Sequence, residues 1–407
     1  MRVPTSAFYR QESLRFSEQY DRMSTALRQG TGDKLRLQFD SDDPVLATDV
    51  HTTEGYLNDL TGYGTNSTLA ADRTKTYDIS MQNVIGSVQQ LSSQTTLAAT
   101  QTLSDTSRAA LASQIESNLQ SILRVANTQD GTGQYIFSGY NTDSPAFILE
   151  NDGKYHYQGS YDTTTINIGL NAEVVYGDSG FNVFGSIPTG NGTFTIAPTT
   201  TNTGTIEIGS GNATNSTPFV KDDYTLSFTN VAGVNYYQLT GVTSGTVIPA
   251  TVYVPGTTIT ANGMAFTLKG APNAGDSFSI KPSQNQNVFD TMTNLVNLLR
   301  TPIGDDLAAR SRYATNLNQY TASMDQVLNH LISFQANIGT RGQQIDIQAN
   351  SLLSLTNIQK NIWTNLATVP DYESISNMKS QMSALDMTTG MYAQLQRALS
   401  DMLKKFS

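Results

Sequence analysis

The pattern of apolar and polar positions changes twice along the chain. From about residue 45 to 128, and again from about residue 288 to the C-terminus, apolar residues recur every three or four positions, which is the period of an amphipathic helix. In residues 131–287 apolar and polar residues instead alternate between Gly-Asn, Asn-Gly and Pro-Gly turns, which is typical of antiparallel strands. The predicted order along the chain is therefore helical, strand-rich and helical.

The first helical region has a clear start. Asp42 and Asp43 precede Pro44, so a carboxylate stands at the N-cap position and proline at the first helical position, where its missing N–H costs nothing. The two carboxylates also resemble a general acid and base, but the proline that follows favours the helix cap. The apolar stripe continues to Ala98, which predicts a helix of about 55 residues and roughly 80 Å. A second cap at Ser104 predicts a shorter helix after it.

The second helical region predicts a short helix, stopped by Pro302, and a long one that begins at Asp305 and ends at Pro370. The apolar residues of the long helix keep the spacing of a coiled-coil seam. They are Tyr313, Leu317, Tyr320, Met324, Val327, Leu331, Phe334, Ile338, Ile345, Leu352, Leu355, Ile362 and Leu366. Gln348 and Gln359 lie on the same seam and are interpreted as residues that fix its register. The predicted fold class is α+β: a long antiparallel helical bundle or coiled-coil rod, formed by the N- and C-terminal halves, with an inserted antiparallel β-rich outer domain.

Both ends of the chain carry a further amphipathic stripe. Near the N-terminus it consists of Tyr9, Phe16, Tyr20, Met23 and Leu27. Near the C-terminus it consists of Ile375, Met378, Met382, Leu385, Tyr392, Leu395, Leu399, Met402 and Phe406. Such stripes need a partner helix, which is either the other arm of the same chain or another copy of it. The predicted organisation is an N-terminal assembly arm (1–43), the first half of a helical rod (44–130), a β-rich outer domain (131–287), the second half of the rod (288–370) and a C-terminal assembly helix (371–407).

Composition removes several classes of function. The 407 residues include no cysteine, which excludes disulfides, thiolate metal sites and cysteine nucleophiles. His51, His156 and His330 are far apart in sequence and show no metal-ligand spacing. Acidic residues outnumber basic ones by 34 to 24, which argues against nucleic-acid binding. The first residues lack the apolar core of a secretory signal and no stretch is apolar enough to span a membrane, so a cytosolic location is expected unless export leaves the N-terminus uncleaved.

One short motif resembles a catalytic segment. Gly177, Asp178, Ser179 and Gly180 are similar to the residues around the nucleophilic serine of trypsin-like proteases, but a helix-flanked layout does not supply the two-barrel fold that completes that triad. A β-turn is the preferred interpretation. The sequence also contains no glycine-rich phosphate loop. No catalytic, cofactor-binding or metal-binding residue is predicted, and no enzyme activity, although an enzymatic or carbohydrate-binding function of residues 131–287 stays open as an alternative.

Several motifs resemble those of the bacterial flagellins and the flagellar hook-associated proteins related to them. At the N-terminal end these are Met1–Thr5, Leu27–Gly30 and the helix start Ser41–Ala47. The run GQYIFSG, with Gly133, Tyr135, Phe137, Ser138 and Gly139, is similar to a signature that separates the junction-forming hook-associated members from flagellin proper. The segment Gly270–Phe278 resembles a turn common in the outer β-domains of these proteins, and the C-terminal arm resembles their terminal helix.

This resemblance implies a structural role. The arms would be disordered in the free subunit and fold into concentric helices as subunits stack, since their apolar stripes are buried only against neighbours. The implied partners are other copies of the chain, hook-associated protein 1, flagellin, an export chaperone and the type III export apparatus, with no nucleic acid and no membrane span. The implied location is extracellular, at the hook–filament junction, reached by secretion without a cleavable signal peptide. The alternative within the family is flagellin itself, the bulk subunit of the filament.

Overall fold

The computed structural model describes residues 5–32, 35–37, 39–41, 43–99, 103–214 and 217–406. The helices are α1 (Thr5–Thr31), α2 (Pro44–Ala98), α3 (Asp105–Ala126), α4 (Val288–Arg300), α5 (Leu307–Ala367) and α6 (Asp371–Phe406). The strands are β1 (Phe147–Leu149), β2 (Tyr155–Tyr157), β3 (Thr164–Gly169), β4 (Ala172–Gly177), β5 (Ile187–Pro188), β6 (Phe194–Pro198), β7 (Glu207–Ile208), β8 (Asn212–Ala213), β9 (Tyr224–Val231), β10 (Val234–Gly241), β11 (Gly245–Val252), β12 (Thr258–Ala261), β13 (Met264–Lys269), β14 (Ser277–Pro282) and β15 (Asn285–Gln286). The predicted α+β class, with long helices at both ends and antiparallel strands between them, is confirmed.

The start of α2 is fixed by a side chain. One carboxylate oxygen of Asp43 accepts hydrogen bonds from the backbone N–H groups of Val45 and Leu46, at 3.2 and 3.1 Å. Asp43 is therefore the N-cap of α2, with Pro44 at the first helical position. Asp42 lies outside the described residues.

The start of α5 lies slightly later than the sequence indicated. The carboxylate that caps it belongs to Asp306, which accepts from the Ala308 N–H at 2.9 Å, and not to Asp305. The helix begins at Leu307 because the backbone between Pro302 and Asp306 first forms a turn. In a run of two aspartates the sequence alone does not distinguish which one adopts the cap geometry.

The contacts within the chain divide it into two compact units, one made of Met1–Thr65 with Gln348–Ser407 and the other of Asn66–Ile347. The second unit holds the larger helical core. Seam residues of α2 and α5 meet there with α3 and α4, among them Tyr77, Val88, Leu119, Leu295 and Leu331, all nearly inaccessible to solvent. This core accounts for the apolar spacing on which the helices were predicted.

The strand-rich segment is divided between separate cores. Its first part, up to residue 187, contributes Phe137, Phe147 and Phe184 to the helical core. The short hairpins β1–β2 and β3–β4 are too small to enclose such side chains by themselves, so they pack on helices. The β3–β4 hairpin rests on Ala70 and Ile345. The five-segment division of the chain and the assembly roles of its arms stay predictions.

Residues 187–286 form what we call the β-domain. A five-stranded antiparallel sheet has the order β11-β10-β9-β14-β6, and a smaller sheet has the order β12-β13-β7, with β8 also paired to β13. Both sheets contribute to one apolar core that includes Phe194, Leu226 and Phe266. The chain enters and leaves the domain through the neck, the short ribbon in which β5 pairs with β15.

Two aspartates hold loops of the β-domain. Asp276, in the turn resembling that of flagellar outer domains, is buried and accepts from the N–H groups of residues 203, 204 and 273. Asp222 accepts from the N–H groups of Thr243 and Ser244 at 3.0 and 2.8 Å. Desolvation of the Asp222 carboxyl by itself raises its pKa, but these hydrogen bonds outweigh it and hold the pKa well below the ordinary value.

Candidate assembly interface

The two terminal arms pair with each other inside the chain. The amide groups of Gln19 and Gln381 are hydrogen-bonded at 2.8 Å, and the rings of Phe16 and Tyr392 lie 6.5 Å apart. As residue numbers rise along α1 they fall along α6, so the helices run antiparallel. A Cβ atom added at Gly30 would lie only 2.9 Å from the sulfur of Met378, which shows how closely the helices approach there.

Pairing nevertheless leaves an apolar surface uncovered. Of the predicted stripe residues, Phe16, Tyr20, Leu27, Ile375, Met382 and Tyr392 are exposed and Met23, Met378 and Leu385 are half-buried. The side chains of Tyr9, Leu395, Leu399, Met402 and Phe406 lie outside the described residues.

Further apolar side chains are exposed off the predicted stripes. Leu14, Met387 and Met391 are exposed by 63%, 69% and 72%. The two methionines stand four residues apart, so they share a helical face, and that spacing was the signal available in the sequence.

The last part of α5, in the same unit, also presents apolar residues. Leu355 and Ile362, predicted seam positions, are exposed together with Leu353 and Ile358. Trp363 lies on the same part of the helix and donates from its indole nitrogen to Glu54 at 3.0 Å. We call the exposed apolar residues of α1, α6 and this part of α5 the assembly surface. Large apolar side chains left exposed in this number are a reason to expect association with other proteins.

The signature residues lie in the interior of the other unit. Phe137 and Ser138 are fully buried, and the ring of Phe137 packs 5.2 Å from those of both Tyr77 and Phe184. Gly139 has a φ of +59°, and a Cβ atom there would lie 2.6 Å from the carbonyl oxygen of Ser160. The signature therefore specifies a packed turn and not an exposed binding surface.

Gly133 and Tyr135 lie at the edge of this turn. Gly133 has a φ of +84°, with no atom within 4 Å of an added Cβ. The Tyr135 N–H donates to the carbonyl of Thr142 at 2.9 Å. The glycine is thus required for its backbone conformation, since the space around it is open.

A buried polar network joins the signature turn to the helices. The two terminal nitrogens of the Arg341 guanidinium, Nη1 and Nη2, donate to the Asp178 carboxylate at 2.6 and 3.0 Å, and each side chain is almost inaccessible to solvent. The Tyr77 hydroxyl donates to the carbonyl of Ile136 at 2.6 Å and accepts from the Asp178 N–H at 2.9 Å. Burial raises the pKa of Tyr77, and the nearby Asp178 carboxylate raises it further.

A second ion pair involves Arg73, which lies on α2 one helical turn before Tyr77. Arg73 binds Asp130 at 3.0 Å and stacks over the Tyr176 ring, with its guanidinium carbon 4.8 Å from the ring centroid. Desolvation opposes ionisation of Asp130, but hydrogen bonds from Thr132 and Gln134, together with Arg73, lower its pKa overall. The two pairs balance charge within a helical core, so they orient the loops against α2 and α5.

The protease-like motif is part of this network. Ser179 is fully buried and its hydroxyl donates to the Tyr157 hydroxyl at 3.1 Å, while Asp178 is occupied by Arg341. A substrate cannot reach the serine in this arrangement. Among the described residues no group of three His, Asp or Glu side chains is arranged to hold a metal ion. Over the same part of the chain, none of the helices combines the length and the hydropathy needed to cross a bilayer.

The comparisons with known proteins agree with this architecture. A profile described as the bacterial flagellin N-terminal helical region matches residues 10–142. The crystal structure of flagellar hook-associated protein 3 from Legionella pneumophila is 31% identical, with a TM-score of 0.76, and the match covers 78% of this chain and 98% of that one. This chain belongs to the flagellar hook-associated protein 3 family.

Other members of the hook-associated protein 3 family extend the match. The flagellar junction protein FlgL from L. pneumophila is 32% identical over 74% of this chain and 99% of that one, with a TM-score of 0.69. Flagellar hook-associated protein 3 from Escherichia coli K12 is 29% identical over 188 residues, which is 46% of this chain and 58% of that protein. The match thus spans less than two thirds of this curated relative. The family resemblance inferred from the sequence motifs is confirmed, and hook-associated protein 3 is favoured over flagellin.

Proposed function

We propose that this chain is a structural subunit of the bacterial flagellum and forms the junction layer between the hook and the flagellin filament. The observation that carries the proposal is the likeness to a flagellar junction protein across 99% of that protein's length, at 32% identity. The role is mechanical, with no reaction and no cofactor. Its location is extracellular, at the tip of the hook.

The exposed apolar side chains of the assembly surface suggest how subunits would associate with one another. Exposed residues such as Tyr20 and Met391 bury their apolar area only when another subunit covers them, and burial of each such side chain stabilises association by about 1.5–3 kcal/mol before the costs of ordering. Contacts between different faces of successive copies build helical tubes in place of closed dimers. The arms of neighbouring subunits would therefore associate as the layer forms, with residues 1–43 and 371–407 as the assembly arms.

The partners follow from the position of the layer. One face would meet further copies and hook-associated protein 1, and the other would meet flagellin. Before assembly the chain would be held by an export chaperone and pass unfolded through the type III export apparatus, with no signal peptide removed. The absence of cysteine suits such a passage, because no disulfide can form and block unfolding.

Deletion of the gene tests the function. The expected result is a cell with bare hooks that releases flagellin into the medium, and antibody against the chain should label wild-type flagella only at the hook tip. Filaments that grow normally on the deletion strain would refute the junction role, and label along the whole filament would indicate flagellin.

A complementation experiment tests the assembly surface. The double variant Tyr20→Glu/Met391→Glu places charge on exposed arm positions, so the monomer should fold with an unchanged circular dichroism spectrum but fail to restore filaments. Val242→Glu is the matched control, since Val242 is 81% exposed in the β-domain. Full complementation by the arm variant would show that these residues do not lie in the subunit interface.

A further inference from the structure

Helix α5 presents a line of polar side chains to the β-domain. Thr315, Gln319 and Ser323 follow one another at intervals of four residues and therefore lie on one face of the helix. They are exposed by only 0%, 8% and 4%. We call these three residues the polar ladder.

The polar ladder hydrogen-bonds backbone groups of the β-domain. The Ile208 N–H donates to the Thr315 hydroxyl at 3.1 Å, and the Ile196 N–H donates to the side-chain oxygen of Gln319 at 3.1 Å. The Gly190 N–H, in the turn before β6, donates to the Ser323 hydroxyl at 2.7 Å.

Two of these bonds give hydrogen-bond acceptors to N–H groups on the edge strands of two sheets. Strand β6, which contains Ile196, is the end strand of the five-stranded sheet, and β7, which contains Ile208, is the end strand of the smaller sheet. An end strand presents N–H groups that a further strand would otherwise pair with. The side chains of α5 take the place of that strand.

The layer between α5 and the β-domain is polar where these bonds form. The apolar core of the helices and the apolar core of the β-domain are separate clusters. The covalent link is the neck, in which Ile187 and Pro188 pair with Asn285 and Gln286. A hydrogen bond to a side chain is replaced by one to water when the surfaces part, whereas separated apolar surfaces have no such compensation.

We propose that the polar ladder is a releasable clamp on the β-domain. In the docked state the ladder holds β6 and β7 against α5. In the undocked state water replaces the ladder, both apolar cores stay intact, and the β-domain turns about the neck. The inference goes beyond the proposed function, because it concerns a movement of one domain within a subunit and does not depend on how the arms assemble.

Distance measurement between paired spin labels tests the clamp. The chain has no cysteine, so Ser113→Cys on α3 and Val242→Cys in the β-domain introduce specific labelling sites in the full chain. The parent should give one narrow distance distribution. The variant Thr315→Val/Gln319→Leu/Ser323→Ala should broaden it or add a second distance.

Amide exchange gives a second readout on the same variants. The Ile196 and Ile208 amides should exchange at least tenfold faster in the ladder variant, while amides of β9 keep their protection. Thr321→Val is the matched control, because the Thr321 hydroxyl donates to the Leu317 carbonyl within α5 itself, at 2.9 Å. It should leave both readouts unchanged.

Unchanged distances and unchanged protection in the ladder variant would overturn the proposal. If that variant does not fold, the labelled parent chain is examined in low concentrations of urea. There the proposal requires the Ile196 and Ile208 amides to lose protection before those of β9. Loss of protection in all these amides together would equally overturn it.

Discussion

The buried pair of Asp178 and Arg341 allows a quantitative test of how the helical core is held together. Asp178→Ala leaves the guanidinium of Arg341 without its partner in a site where that side chain is 11% exposed. Removing one member of a buried pair costs about 3–5 kcal/mol, because the remaining charge is desolvated and unpaired. The chain offers a matched control in Arg300 and Glu116, which are equally close at 2.6 Å but are 45% and 50% exposed. Glu116→Ala should cost no more than about 1 kcal/mol.

The assay is a double-mutant cycle for each pair. The free energy of unfolding of residues 66–347 is obtained from amide exchange in increasing denaturant, for each single variant and for the double variant with Arg341→Ala or Arg300→Ala. The buried pair should show a coupling energy of about 2–3 kcal/mol, because the double variant no longer buries an unpaired charge. A coupling no larger than that of the exposed pair would refute the claim that Asp178 and Arg341 act as a unit.

Three further predictions concern the signature turn and the β-domain. Phe137→Ala should lower the free energy of unfolding, measured by urea titration, by about 3–5 kcal/mol, because it leaves a cavity at a fully buried site. Tyr140→Ala, at a position that is 64% exposed, should change it by less than about 0.5 kcal/mol. Equal effects would contradict the packing described. Gly139→Ala should reduce the melting temperature more than Gly133→Ala. Both positions have a positive φ, but only at Gly139 would the added Cβ atom collide with neighbouring atoms. A larger loss for Gly133→Ala would contradict this reasoning. The pKa of Asp222 is lower in the folded chain than in the unfolded chain, so the stability that its carboxylate contributes is present above about pH 4 and is lost as the pH falls through the folded pKa. The difference in unfolding free energy between the parent and Asp222→Asn should therefore shrink on acidification. A difference that does not depend on pH would refute this.

The helices were predictable because their determinants are local or periodic. Asp43 and Pro44 carry the start of α2 in adjacent letters, and seam residues such as Met81 and Leu331 repeat at the spacing that a helical core imposes. At the end of α5 the same spacing continues, but there it does not correspond to burial within the chain. Leu355 and Ile362 continue the seam but are exposed, since periodicity predicts an apolar face and does not show whether the chain itself covers it.

The polar contacts were less accessible to sequence reasoning. Thr315 and Gln319 are not on the predicted apolar seam, and nothing in their chemistry indicates that sheet edges will lie against them. Likewise the alternation in residues 131–287 identified strands but not the division of their side chains between separate cores. For Ser179 the sequence reasoning preferred a turn to a catalytic serine, and the complete burial of this side chain agrees with that preference.

The neck has a consequence for how members of this family diverge. Because β5 and β15 are neighbours in a ribbon, the two points at which the chain leaves the helical unit lie about 5 Å apart. A tight turn of a few residues would join them, so the whole intervening domain is able to be shortened, enlarged or exchanged between species without a change in the helices. A change in the length of the β-domain would thus leave the apolar core of the helices as it is, because the two cores are separate clusters.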